Sequence, residues 1–72
     1  MNKKNKIKIV VNGKYLTINS KLPVNNLIEK LKTPINKVAI ELNEVIVDKK
    51  KLNKIFLKNK DKIEIVHFIG GG

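Results

Sequence analysis

The residues with the clearest chemical potential stand at the end of the sequence, at Gly70, Gly71 and Gly72. Three of the four glycines of the chain occupy these positions, so the ending is not a general composition bias. Glycine has no side chain and tolerates a wide range of backbone angles. Such a tail can thread into a narrow channel and present its α-carboxylate to another protein's active site. We therefore predict that Gly72 is the reactive residue and that Gly70 and Gly71 allow threading.

An apolar, strand-like run leads directly into these glycines, which makes a functional tail a better interpretation than a frayed terminus. Successive side chains of a strand point to opposite faces. If the alternation holds, Ile63 and Ile65 lie in the core, whereas Glu64, Val66 and Phe68 point outward. Two exposed apolar side chains on the strand before the tail predict a partner-docking patch.

The residues next to the tail admit more than one interpretation. Phe68 either belongs to the docking patch or folds over the edge of a twisted sheet. His67 is a partner contact or a pH-sensitive hinge, or it is a half-buried strand residue, which we favour. Ile69 is assigned to the docking residues together with Val66, His67 and Phe68. Residues 68–72 are predicted to be a flexible tail of roughly 17 Å when extended, and the three glycines are expected to order only on binding.

Composition excludes several kinds of site. Seventy-two residues predict one domain with room for one core and little room for an enclosed active site. The absence of cysteine excludes disulfides, thiolate metal sites and a cysteine nucleophile. One histidine cannot form a multi-histidine cluster, so we expect no metal site. We also expect no bound cofactor. No apolar run approaches the ~20 residues of a membrane span, and the basic first residues lack the features of a signal peptide, so we expect a cytoplasmic protein.

The net charge of +10 comes entirely from lysine. Such a charge usually suggests a nucleic acid or an anionic membrane as the partner. The chain has no arginine, the residue best suited to bidentate phosphate contacts. Its lysine accompanies abundant asparagine and isoleucine, a pattern typical of an AT-rich coding sequence. We therefore favour a solvated lysine surface with no nucleic-acid or membrane partner, and expect residues 49–51 to lie in a loop.

Hydrophobic periodicity predicts the elements. Residues 6–11 and 14–19 alternate polar and apolar around Asn12-Gly13, which predicts a β-hairpin with Leu16 and Ile18 on one face. A helix is predicted over roughly residues 23–32, because four apolar residues follow helical spacing: Val24, Leu27, Ile28 and Leu31. Pro23 fits its start, and Thr33-Pro34 is expected to end it.

The second half of the chain contains further strands. Residues 38–42 predict a third strand, residues 43–44 a turn and residues 45–47 a fourth strand. Residues 48–53 are expected to form a polar loop with at most one helical turn. Residues 55–57 are expected to plug the core, residues 58–61 to turn and residues 62–68 to form the last strand. The predicted order is ββαββ, with a terminal strand.

A ββαββ chain of this size that ends in Gly-Gly resembles the α+β fold known as β-grasp, or ubiquitin-like, in which one helix packs across a mixed sheet. In finer detail it resembles the ThiS family, the sulfur carriers of thiamine thiazole synthesis. The resemblance spans nearly the whole chain and is strongest in residues 38–47 and 61–72. The D-x-I-E-I-V-H-F-I-G-G-G ending is its most specific part. Residues 49–52 depart from the family pattern, in a loop that is not the chemical site.

The resemblance implies a co-substrate protein rather than an enzyme. A ThiF-type adenylating enzyme would use ATP to activate the carboxylate of Gly72. A persulfide donor would then displace AMP and leave a thiocarboxylate, whose sulfur a ThiG-type thiazole synthase would consume. Every acid, base and metal of this chemistry would belong to the partners.

Two alternatives remain open. Sulfur carriers for molybdopterin or for tRNA thiolation share the fold and the Gly-Gly end, although the approach through His67, Phe68 and Ile69 favours the thiamine branch. A basic RNA-binding β-grasp module belongs to a different class. The absence of arginine, the scarcity of aromatic residues for base stacking and the glycine tail argue against it.

Overall fold

The computed structural model describes residues 5–68 of the chain. Within them one α-helix accompanies five strands: β1 (Lys6–Val11), β2 (Lys14–Asn19), α1 (Val24–Lys30), β3 (Val38–Leu42), β4 (Val45–Ile46) and β5 (Lys62–His67). Two 3-10 helices, Ile35–Lys37 and Lys49–Lys54, lie in the connections. The strands form one sheet in the order β2-β1-β5-β3-β4.

The predicted hairpin is present and depends on its turn residues. Strands β1 and β2 pair antiparallel from Lys6 opposite Asn19 to Val11 opposite Lys14. Asn12 and Gly13 have φ values of 49° and 84°. Positive φ at both central positions is what a two-residue turn needs if its twist is to match that of the strands. The Asn-Gly prediction is therefore confirmed.

The sheet is mixed because the last strand inserts at its centre. Strand β5 lies parallel to β1 on one side and antiparallel to β3 on the other. Strand β4 then pairs antiparallel with β3 at the edge. This is the mixed five-stranded sheet with one helix that the β-grasp resemblance predicts, and the fold class is confirmed. The strand that leads to the glycines is thus held on both sides.

The helix is shorter than predicted, and its buried apolar residues end at Ile28 rather than at Leu31. Val24, Leu27 and Ile28 are buried, whereas Leu31 is 38% exposed. The reason lies in the helix end, where Lys32 adopts a left-handed φ of 57°. The N–H of Lys32 bonds to the carbonyl of Glu29, and that of Thr33 to the carbonyl of Ile28, which is the Schellman pattern. The chain therefore turns away before Pro34 is reached, and the prediction for Leu31 is wrong.

The core lies between α1 and one face of the sheet. Its buried members come from α1, from every strand except β4, from the Lys49–Lys54 helix and from the segment before β5: Ile9, Ile18, Val24, Leu27, Ile28, Val38, Ile40, Leu52, Leu57, Ile63 and Ile65. The prediction that residues 55–57 fill part of the core is correct for Leu57, which is buried, but wrong for Phe56, which is 51% exposed. Phe56 is extended and forms a bridge with Pro23, so neighbouring side chains point in opposite directions.

The lysine-rich segment is more regular than expected. Lys49, Lys50 and Lys51 open the Lys49–Lys54 3-10 helix rather than an irregular loop. The Asp48 carboxylate caps this helix by accepting the backbone N–H of Lys50 at 2.9 Å. Leu52 faces inward and is buried, so the segment is anchored to the core while its lysines remain in water.

Candidate functional site

Strand β5 is positioned by backbone hydrogen bonds from both neighbours. On the β1 side, the N–H of Val10 bonds to the carbonyl of Asp61, and that of Asn12 to the carbonyl of Ile63, each at 2.9 Å. On the β3 side, the register runs from Leu42 opposite Ile63 to Val38 opposite His67. The segment that approaches the glycines therefore has a fixed direction as far as the sheet extends.

Two asparagine side chains complete this attachment. The Oδ1 atom of Asn12 accepts the N–H of Ile65 at 2.7 Å, which extends the short parallel pairing of β1 and β5 by one bond. The Oδ1 atom of Asn43 accepts the N–H of Lys62 at 2.9 Å, and its Nδ2 donates to Asp61 at 3.1 Å. Sequence reasoning identified both asparagines as turn residues and missed their bonds to β5, because nothing local to either turn indicates them.

The alternation predicted for β5 is confirmed. Ile63 and Ile65 are buried, and Glu64 is half-buried. Val66 is 48% exposed and Phe68 is 61% exposed. The two apolar side chains proposed for docking therefore face water, as a docking patch requires. Their contact with a partner stays a prediction.

His67 is exposed, and the interpretation of it as a half-buried strand residue is wrong. It is the last residue of β5 and pairs with Val38, the first residue of β3. It therefore lies at the end of the paired region, where water reaches the side chain. This position leaves the imidazole available to a partner.

Phe68 is held by two contacts although the sequence places it at the start of the flexible tail. Its backbone N–H donates to the carbonyl of Lys37 at 2.9 Å. The Nζ atom of Lys49 lies 5.2 Å from the centroid of its ring, within the range of a cation–π contact. The predictions for Ile69 and for Gly70, Gly71 and Gly72 fall outside the described residues.

Other kinds of site find no support in residues 5–68. The histidine and the carboxylates in this range form no group of three that could hold a metal ion. In the same range no helix has the length and apolar character needed to cross a membrane.

The fold and the placement of β5 define a class of protein: a small β-grasp domain whose central strand leads toward a glycine-rich end. The ThiS family model matches residues 9–72, which is most of the chain and includes the glycines. This chain belongs to the ThiS family. Its structure is similar to the crystal structure of the thiamine biosynthesis protein ThiS from Geobacter metallireducens, with a TM-score of 0.81 and 30% sequence identity. That match covers 92% of this chain and all of the other.

Sequence relatives include thiazole synthases and a sulfur carrier protein. A thiazole synthase of Paramagnetospirillum magneticum is 38% identical over 66 residues, which is 92% of this chain. The chain spans only 20% of the length of that relative. The sulfur carrier protein ThiS of Bacillus subtilis is 46% identical over 35 residues, or 49% of this chain and 53% of that protein.

Proposed function

We propose that this protein is a sulfur carrier in thiamine biosynthesis and that Gly72 bears the sulfur as a thiocarboxylate. The observation that carries the proposal is the family match, which continues through residue 72 and so includes the three glycines. Their position in the sequence supports it, because they follow a strand that lies at the centre of the sheet. A rigid body with a side-chain-free end suits delivery of a carboxylate to an enclosed active site.

The proposed chemistry overcomes the low reactivity of a carboxylate. The Gly72 carboxylate attacks the α-phosphate of ATP on a ThiF-type enzyme, which releases pyrophosphate and forms an acyl-adenylate. The terminal sulfur of a persulfide donor then attacks the carbonyl carbon and displaces AMP. A thiol cleaves the resulting sulfur–sulfur bond, which forms a disulfide with the donor and leaves the thiocarboxylate.

The composition of the chain suits this sequence of steps. It contains no cysteine, so no thiol of the same chain competes for the activated carbonyl. Glycine at the reacting position leaves the carbonyl carbon unhindered. The carrier supplies no general acid or base in this scheme, so it acts as a co-substrate and the ATP is bound by the partner.

We further propose a ThiG-type thiazole synthase as the enzyme that takes the sulfur. The similarity of this chain to a segment of the Paramagnetospirillum magneticum thiazole synthase supports this partner. Val66, His67 and Phe68 are the proposed contacts within the described residues, since all three are exposed on the approach to the tail. Ile69 completes this set in the sequence.

Intact-mass spectrometry tests the proposal. After incubation with ATP, a persulfide source and the cognate adenylating enzyme, we expect one oxygen to be replaced by one sulfur at Gly72. A variant that lacks Gly71 and Gly72 should remain folded and unmodified, because the buried core lies between Ile9 and Ile65. Modification of an internal lysine with the terminus unchanged would contradict the proposal.

A further inference from the structure

The sheet face opposite α1 carries two carboxylates among apolar side chains. Glu41 of β3 lies directly opposite Glu64 of β5, and Ile46 of β4 lies opposite Glu41. One step further along the strands, Ala39 lies opposite Val66. Ile46 is 70% exposed and Val66 is 48% exposed. We call these five residues the acidic docking face.

The pair of glutamates does not serve the stability of the sheet. Directly opposed residues hold their Cβ atoms about 4.5–5.5 Å apart, and like charges at that spacing are destabilising. The chain has 16 lysines and only 6 acidic residues, so a lysine opposite a glutamate would be the expected arrangement. Two like charges that lie opposite each other without a compensating contact therefore indicate a surface kept for function rather than for stability.

No cation of the described residues compensates this pair. Lys62 precedes Glu64 by two residues and therefore starts on the same face of β5. Its Nζ atom instead binds Glu44 at 3.2 Å. Within residues 5–68 neither Glu41 nor Glu64 forms an ion pair. Two adjacent carboxylates thus remain available on a protein whose net charge is +10.

The two carboxylates and the exposed apolar side chains of this face indicate which chemical group it would bind. One guanidinium or ammonium group can bond to two neighbouring carboxylates, and charge-assisted bonds of this kind are the strong ones. Ile46 and Val66 would pack against apolar side chains around that cation. The many lysines elsewhere repel other basic surfaces, so a cationic group is favoured next to the two carboxylates of this face.

We propose that Glu41 and Glu64 together bind one arginine or lysine side chain of the adenylating enzyme. This inference rests on the proposed function. Glu64 and Val66 occupy successive outward positions, about 6.6 Å apart, on the strand that leads to Gly72, and Phe68 follows directly after its last residue. An enzyme that holds the tail and contacts Val66 would therefore also lie next to Glu64.

The adenylating enzyme is the partner that most needs such a surface. It meets the carrier while the tail is still an ordinary glycine carboxylate, a group with no distinguishing chemistry. At that step the enzyme can therefore distinguish this carrier from other chains that end in glycine only through contacts with the folded domain. The thiazole synthase, by contrast, receives a tail that carries a distinctive thiocarboxylate.

The test is the Glu41→Gln/Glu64→Gln double variant, with Glu29→Gln as the matched control. Glu29 is exposed on α1, on the other side of the sheet. Calorimetric titration without ATP should show the Kd for the cognate adenylating enzyme raised at least about tenfold in the double variant and unchanged in the control. The affinity of the double variant should also depend less on salt. Its melting temperature should not fall, because the substitutions remove a repulsion.

Three outcomes would overturn the inference: an unchanged Kd in the double variant, an equal loss in Glu29→Gln, or a loss of affinity for the thiazole synthase alone. Adenylation turnover is measured in parallel, and saturating carrier should restore kcat in the double variant because Gly72 is untouched. A wild-type chain that binds but is never adenylated would refute the proposed function, while the Kd comparison would still decide the role of the glutamates. A wild-type chain that does not bind would refute both.

Discussion

At the residue scale, the asparagines of the turns combine two roles. Asn12 and Asn43 both have positive φ, a conformation that asparagine tolerates better than most residues. Both also direct a side-chain oxygen to a backbone N–H of β5. One residue type therefore closes a local turn and attaches the strand that precedes the glycines.

Replacing Asn12 with glycine should separate these roles. Glycine adopts the φ of 49° without strain, but it removes the acceptor for the partly buried N–H of Ile65. We expect the free energy of unfolding, measured in urea, to fall by about 1–2 kcal/mol. The matched control is Lys60→Gly, because Lys60 has a φ of 75° and its backbone bond to Lys8 remains. Equal effects of the two substitutions would show that the asparagine bond contributes nothing.

At the scale of the element, β5 contains both core residues and proposed docking residues. Ile63 and Ile65 are buried between the sheet and α1, whereas Val66 on the opposite face reaches water. The core residues and the proposed docking residue Val66 therefore lie on opposite faces of the same strand. A substitution on the outward face should affect binding while the core remains intact.

Phe68→Ala is the corresponding test. The side chain is 61% exposed, and its cation–π contact with Lys49 contributes about 0.5–1 kcal/mol at an exposed site. We expect binding to the adenylating enzyme or the thiazole synthase to weaken about tenfold or more, as for an aromatic residue at the centre of an interface. The melting temperature should change little.

The chain offers a matched control for this substitution. Phe56 is the other phenylalanine, is 51% exposed and lies outside β5, in the bridge to Pro23. Phe56→Ala should leave partner binding unchanged. Should Phe68→Ala instead unfold the protein, its ring would be part of the core and the docking assignment would be lost.

At the scale of the whole molecule, the proposed reactive end and the buried core are separate parts of the chain. All the buried hydrophobic side chains of the described residues lie between Ile9 and Ile65. The proposed chemistry takes place at Gly72, seven residues beyond the last of them. Changes at the glycines should therefore alter reactivity without altering the free energy of unfolding.

Gly71→Val tests this separation and the threading role of the glycines. A β-branched side chain restricts φ and adds bulk that a narrow channel would reject. We expect adenylation of Gly72 to be lost and the urea midpoint to remain that of the wild type. Gly71→Ala, with a single methyl group, should give an intermediate rate. Normal adenylation of the valine variant would mean that the partner's channel is wide.

The sequence by itself determined the features that depend on neighbours a few residues apart. Asn12-Gly13 specified the hairpin turn, the change of period specified α1, and the alternation through Ile63 and Ile65 separated buried from exposed side chains. The three final glycines also led to the proposed chemistry without reference to any fold. Turn conformation and strand parity are local properties, so short segments contain the necessary information.

Only the tertiary structure decided the features that join distant segments. Strand order placed β5 between β1 and β3, and this brought the Asn12 side chain to Ile65, 53 residues away. Register placed Glu41 opposite Glu64, and the end of β3 left His67 in water. The same applies to the left-handed Lys32 that ends α1, since lysine carries no local signal for that conformation. Strand pairing and register are selected because they bury one face of the whole sheet against the helix. The free energy of that burial depends on all the strands together and cannot be inferred from one segment of the sequence.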